Sequence, residues 1–166
     1  LTSGIFSTIG SSIWNENAWV RDNLVIAYNA VIENATGTAF NDEIYGNVYG
    51  NTLRGGGGDD VMRGSEWADH NVFDNDIMYG GDGNDFMGGH NGNDTMYGDA
   101  GNDSVIGDAG NDVLYGGSGD DWIVGDYTDQ SGNGNDTMYG DAGADRMEGG
   151  TGNDYMVGGN NTSIFN

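Results

Sequence analysis

The chain contains no cysteine, no proline and no lysine. Without cysteine there is no disulfide framework and no thiolate-bound metal. The compartment stays open on that ground, because secreted proteins without disulfides exist. Basic residues are scarce as well: Arg21, Arg54, Arg63 and Arg146 stand against 22 Asp and 5 Glu, a formal net charge of −23 over 166 residues. That balance argues against nucleic acid or an anionic membrane surface as a partner. No apolar run approaches the ~20 residues of a membrane-spanning helix. The sequence starts at Leu1 with no charged-plus-apolar leader, so it reads as a fragment or a processed product with any N-terminal targeting signal outside it.

What the chain does have is 33 Gly, and a hydrophobic content of 36% with 11% aromatic residues. Those last two figures are too rich for a disordered acidic tail. Carboxylates at this density repel one another unless something neutralises them, and a divalent cation is the obvious candidate.

Periodicity decides the fold class. Thirteen units begin at Gly37, Gly46, Gly55, Gly64, Gly80, Gly89, Gly98, Gly107, Gly116, Gly125, Gly140, Gly149 and Gly158. Their spacing is nine residues except that the units from Gly64 and Gly125 carry 7 and 6 extra. The stretch Gly55 to Arg63, GGGGDDVMR, fits G-G-x-G-x-D-x-U-x, the repeat of calcium-binding parallel β-helices. Glycine at positions 1, 2 and 4 would permit the positive φ of a tight turn and let carbonyls converge on an ion. Positions 7 to 9 would form a short strand pointing out, in, out. Position 8 is apolar throughout: Ile44, Leu53, Met62, Met78, Met87, Met96, Val105, Leu114, Ile123, Met138, Met147, Met156 and Phe165. All seven methionines fall there, which makes it the expected core, a narrow interior that unbranched side chains can fill.

Position 6 carries the chemistry. Two units make one 18-residue coil, so its residues stack in two columns, one on each edge. The first is Asp42, Asp60, Asp85, Asp103, Asp121 and Asp145; the second is Asn51, Asp76, Asp94, Asp112, Asp136 and Asp154, with Asn51 the weaker member and Ser163 a second departure. Asp69 also counts sixth from its glycine, but only Asp76 is followed two residues later by an apolar side chain, so Asp76 is preferred. Carboxylates ~4.8 Å apart on successive coils repel unless a hard cation bridges them. Calcium suits them, since it accepts 6–8 oxygens in flexible geometry, whereas magnesium demands a tighter octahedron and zinc prefers His or Cys. Neighbouring pairs along the columns give about nine to ten ions, enough to bring the charge near neutral.

Before and into the array, LTSGIFSTIG (1–10), NLVIA (23–27), IENATG (32–37) and NDEIYGN (41–47) resemble the C-terminal module of the serralysin family of secreted bacterial zinc metalloproteases. The resemblance covers residues 1 to about 64; beyond that the chain is similar to RTX (hemolysin-type calcium-binding) repeats in general. It implies an all-β parallel β-roll with calcium in both edges, type I secretion and folding triggered by extracellular calcium. The family's catalytic H-E-x-x-H-x-x-G-x-x-H motif is absent, so this chain is not expected to be an enzyme, and any protease would precede Leu1. His70 and His90 stand outside any such motif, the 11–22 segment with Trp14 and Trp19 departs from the family, and its C-terminal secretion signal is not in this sequence.

The expected organisation is an irregular N-terminal β cap over 1–36, the roll over 37–157 with insertions near 65–75 and 126–133, and a degraded repeat at 158–166. Leu24, Ile26, Val31 and Ile32 would close the first coil, since an open solenoid end exposes core. Both insertions leave on the same edge. Trp67, His70, Phe73 and Tyr127 there either line a ligand or partner site or fold back onto the roll. At position 9 of one sheet, Tyr79, Tyr97, Tyr115 and Tyr139 would stack beside Arg54. That row is either cross-strand stabilisation or a face for polysaccharide or a neighbouring domain. The expected function is thus calcium binding in an extracellular folding module, with an adhesive or structural extracellular protein that binds polysaccharide or another copy of itself through the tyrosine face as the alternative.

Overall fold

The computed structural model describes residues 23–25, 33–65, 73–127, 134–159 and 163–165. The strands are, in chain order, β1 (Asn23–Val25), β2 (Asn34–Thr36), β3 (Glu43–Tyr45), β4 (Thr52–Gly57), β5 (Val61–Arg63), β6 (Ile77–Asp82), β7 (Phe86–Asn91) and β8 (Thr95–Ala100), followed by β9 (Ser104–Ala109), β10 (Val113–Ser118), β11 (Trp122–Val124), β12 (Thr137–Ala142), β13 (Arg146–Glu148), β14 (Tyr155–Val157) and β15 (Ser163–Phe165). Odd-numbered strands form one sheet and even-numbered strands the other, each in monotonic order and each pair parallel. The chain therefore alternates between two facing sheets at every turn and advances one strand per 18-residue coil. This is the parallel β-roll that the nonapeptide spacing implies.

The core is one residue wide. Ile44, Leu53, Met62, Met78, Met87, Met96, Val105, Leu114, Ile123, Met138 and Met147 have no solvent exposure and form a single cluster, joined by Ala35 at one end and flanked by Met156 at the other. Pairing keeps them in line: Met96 lies opposite Met78 and Leu114, and Leu114 opposite Met138. Each such side chain contributes about 1.5–3 kcal/mol by leaving water.

Three expectations need correction. First, six-residue strands such as Thr95–Ala100 and Val113–Ser118 extend past position 9 into the first three residues of the next unit. Pairing resumes beyond the kink, Gly117 opposite Asp99 and Ser118 opposite Ala100. Second, positive φ belongs to positions 2 and 4, as at Gly81 (111°) and Gly83 (139°), and not to position 1. At position 1 only the other expected reason holds, the close approach of a carbonyl oxygen. Third, the last unit is one residue shorter than its count suggests: Ser163 sits opposite Arg146 and Ile164 opposite Met147. Phe165 is thus an outward residue across from Glu148, not the core residue, and Ser163 begins a strand instead of occupying position 6. Skipping one turn residue rotates every side chain of the strand to the other face.

The strand ladders also run upstream of Gly37. β1 pairs with β3 and β2 with β4, so Leu24 lies across from Ile44 and Ala35 across from Leu53. Ile26, Val31 and Ile32 lie outside the described residues, as do Trp67, Asp69 and His70. The two insertions link β5 to β6 and β11 to β12, both passing from the odd to the even sheet, which puts them on one edge. Phe73 is largely exposed, and Tyr127 meets the Trp122 ring edge-on at 6.4 Å.

On the outer face of the even sheet, Tyr79, Tyr97, Tyr115 and Tyr139 stack with centroids 4.8–5.0 Å apart and planes within 8°. Arg54 covers the outer ring face of Tyr79 at 4.5 Å, and Tyr155 packs edge-on against Tyr139. The odd sheet is held on its outer face by cations over rings, Arg63 over Tyr45 and Phe86 and Arg146 over Trp122 and Phe165.

Candidate metal sites

At both edges the strands end in turns whose position-6 aspartates are buried. Asp60, Asp76, Asp94, Asp112, Asp136 and Asp145 are 1% exposed, and Asp85, Asp103 and Asp121 are 2–3%. One oxygen of each is fixed by the coil before it. Along the first edge the backbone N–H of Asp42 donates to Asp60 Oδ1, Asp60 to Asp85, Asp85 to Asp103, Asp103 to Asp121 and Asp121 to Asp145, at 2.7–3.1 Å. Along the second, Asn51 donates to Asp76, Asp76 to Asp94, Asp94 to Asp112, Asp112 to Asp136 and Asp136 to Asp154. Both columns assemble as the repeat spacing requires, and Asp76 takes the ladder position in its unit.

The second oxygen is left over. Oδ2 of Asp60, Asp76, Asp85, Asp94, Asp103, Asp112, Asp121, Asp136 and Asp154 is buried with no hydrogen-bond partner. A row of buried, unsatisfied carboxylate oxygens is very costly unless a cation occupies the space they face. Asp42 differs at the column's end, its Oδ2 accepting from Thr38 N–H and Oγ1. Asn51 also differs, its Oδ1 accepting from Asn47 N–H at 2.8 Å.

The position-1 glycines explain where Oδ2 points. A methyl group on Gly98 would lie 2.5 Å from Asp103 Oδ2 and closer still to the Gly116 carbonyl oxygen of the following coil. The same two atoms crowd Gly55, where Asp60 Oδ2 and the Gly80 carbonyl take the space. Carbonyls at positions 2 and 4 point the opposite way, Gly56 toward Gly81 and Gly58 toward Gly83. Each gap between coils therefore collects carbonyl oxygens from both sides and one free carboxylate oxygen. Among the described residues no three His, Cys, Asp or Glu side chains cluster as a ready cage. An ion would draw most of its ligands from the backbone, and an oxygen-only set of this kind fits a calcium ion and not zinc.

Electrostatics agree with that chemistry. Burial, the largest cause, pushes Asp94 up to about 9 and Asp112 up to about 8, with neighbouring carboxylates adding to it. Asp76, Asp103 and Asp136 rise to about 7, and Asp60 and Asp121 to about 6, again chiefly by burial and against the lowering effect of the donated N–H. A neighbouring cation reverses the burden by favouring the charged form.

Sequence reasoning missed a second ladder. At position 5, Asn84 N–H donates to Asp59 Oδ1, Asn102 to Asn84, Asp120 to Asn102 and Ala144 to Asp120. On the other edge Asn93, Asn111, Asn135 and Asn153 continue from Asn75 in the same sense. The near-constant Asn or Asp beside each position-6 Asp was the available signal. Here the later coil donates to the earlier one, opposite to the position-6 ladder. Two further carboxylates, Asp74 and Asp126, are 6% and 2% exposed and lie outside the repeat columns.

No curated protein matches the chain. A family model for the RTX calcium-binding nonapeptide repeat matches in four copies, over residues 36–66, 73–96, 97–126 and 130–163, most of the chain and both edges of the roll. A calcium-binding repeat, a two-sheet parallel roll and edge gaps lined only by oxygen agree, and the chain belongs to the RTX calcium-binding nonapeptide repeat family.

Proposed function

We propose that this chain is a calcium-dependent folding module of a secreted, serralysin-like bacterial protein, in which calcium seats between the coils and makes the roll stable. The observation that carries the reading is the row of buried Oδ2 atoms without partners. The residues assigned to the ions are Asp42, Asp60, Asp85, Asp103, Asp121 and Asp145 on one edge and Asp76, Asp94, Asp112, Asp136 and Asp154 on the other, with Asn51 a weaker contributor. Five neighbouring pairs on each edge correspond to nine or ten ions. Calcium supplies positive charge to these gaps when bound; the chain supplies fixed oxygens, oriented by the N–H bonds to Oδ1 and by glycine at position 1. Weak sites of the extracellular kind, ~0.1–1 mM, would stay empty inside a cell and fill outside it, coupling export to folding. Catalysis is assigned to no residue here: the chain lacks the zinc-protease motif, and its paired aspartates are accounted for as ligands.

Titrating calcium into the chelator-stripped chain while recording far-UV circular dichroism tests this. The β signal should appear cooperatively at millimolar or submillimolar calcium, and magnesium should not replace it. A β signal unchanged by excess chelator would refute the reading.

The stacked tyrosines favour a second reading, an adhesive or structural extracellular role. Each inner ring has both faces covered by its neighbours, so sugars cannot stack on them and only edges and hydroxyls face outward. Binding to polysaccharide hydroxyls, or packing against another domain, suits that arrangement. Loss of glycan binding in Tyr97→Ala would support it, and no binding to any glycan would count against it.

A further inference from the structure

We infer that the edge carrying the insertions holds two reinforced calcium sites, with Asp74 charging the gap between Asp76 and Asp94 and Asp126 charging the gap between Asp112 and Asp136. The inference rests on the calcium reading above and deepens it. Asp74 ends the first insertion and is 6% exposed, with both carboxylate oxygens buried and neither hydrogen-bonded. Its own carbonyl and Asp94 Oδ1 both press on the space beside Gly92, where a methyl group would stand 3.2 Å from that Oδ1. Its charge acts on Asp76 and on Asp94.

Asp126 opens the second insertion and is 2% exposed. Its Oδ2 accepts from Gly134 N–H and from Thr151 Oγ1, each at 3.0 Å, while Oδ1 is buried without a partner. Gly134 is shared with the column, because a methyl group there would lie 2.7 Å from Asp136 Oδ1. Asp126 also acts on Asp112 as well as Asp136.

Among the described residues the opposite edge has no buried carboxylate of this kind outside its column. Its position-4 residues are Phe40, Gly58, Gly83, Gly101, Gly119 and Gly143. Its position-2 acids Asp99 and Asp141, which also act on Asp85, Asp103 and Asp121, are exposed to water that screens them. A buried carboxylate with an idle oxygen costs free energy unless a cation lies near it. Since no three carboxylates cluster into one cage, Asp74 and Asp126 act on ions held by the columns as neighbouring buried charges. At an effective dielectric between those of protein and water, neutralising one of them weakens hold on a divalent ion about tenfold.

The test follows calcium leaving the loaded, folded chain after rapid mixing with excess fluorescent chelator. The wild type should release its ions in at least two phases. Asp74→Asn and Asp126→Asn should each speed part of the slow phase about tenfold, while Asp82→Asn, at an exposed acid on the other edge, leaves both phases within twofold. Circular dichroism at saturating calcium identifies folded variants, and the two substitutions probe separate gaps, so the test stands on either one. A single release phase in the wild type, or folded Asn variants whose traces superimpose on it, would overturn the inference and leave the calcium reading intact. A wild type that releases no calcium would bring down that underlying reading.

Discussion

Acid should replace part of what calcium does. With calcium removed at pH 7.5 the roll is expected to unfold, and at pH near 4.5 the same metal-free chain should regain part of its β signal. Asp94 and Asp112, raised to about 9 and about 8 by burial and then by neighbouring carboxylates, set the size of the effect. An acid whose folded pKa lies above its unfolded value, near 3.8, imposes no penalty below that value. The penalty grows as pH rises and is complete above the folded pKa. At ~1.4 kcal/mol per unit, each of these two groups disfavours the metal-free fold by roughly 4 kcal/mol at pH 7. Together they rival the ~5–15 kcal/mol total stability of an ordinary domain. Asp76, Asp103 and Asp136, raised to about 7, act in the same direction. The assay is far-UV circular dichroism with tryptophan fluorescence in metal-free buffer from pH 4 to 8. Running it in ~1 M salt, where the Debye length is ~3 Å, suppresses the general repulsion of a −23 chain and leaves buried groups largely unscreened. A metal-free β signal that stays flat or grows with pH would refute the reasoning.

Gly98→Ala should prevent cooperative calcium-induced folding, because its methyl group collides with Asp103 Oδ2 and a backbone carbonyl, whereas Gly88→Ala, with nothing within 4 Å, should fold normally and gain about 0.5–1 kcal/mol; thermal melts in calcium compare the two. Asp103→Ala, in mid-column, should lower the Hill coefficient of the calcium titration more than Asp42→Ala, whose Oδ2 is already satisfied by Thr38. Asn111→Ala removes the acceptor for Asn135 N–H and should cost about 1 kcal/mol in urea unfolding with calcium, with bound calcium by equilibrium dialysis unchanged.

The position-8 and position-6 columns could be read from sequence because strict nine-residue spacing turns a linear pattern into a stack. The same arithmetic placed Tyr79, Tyr97, Tyr115 and Tyr139 in one row. It failed where spacing is not conserved. The final unit loses a turn residue, so counting from Gly158 put Phe165 where Ile164 belongs. Asp74 lies at the end of an insertion, where no repeat copy exists for comparison, and Asp126 stands at position 2, where spacing alone does not separate it from the exposed Asp99 and Asp141. Of the two reasons expected for glycine at position 1, the convergence of carbonyls holds and positive φ does not, because composition does not tell one from the other and only the atoms around Gly55 or Gly98 decide it.

The monotonic strand order has a mechanical consequence. β1 and β15 lie at opposite ends of the odd sheet, and the hydrogen bonds joining the coils run along the line between them. Tension applied across those ends pulls on the coils in series and not in shear. A chain held this way should peel from an end at low force, lengthening in steps of one coil, each freeing about 18 residues where no insertion intervenes.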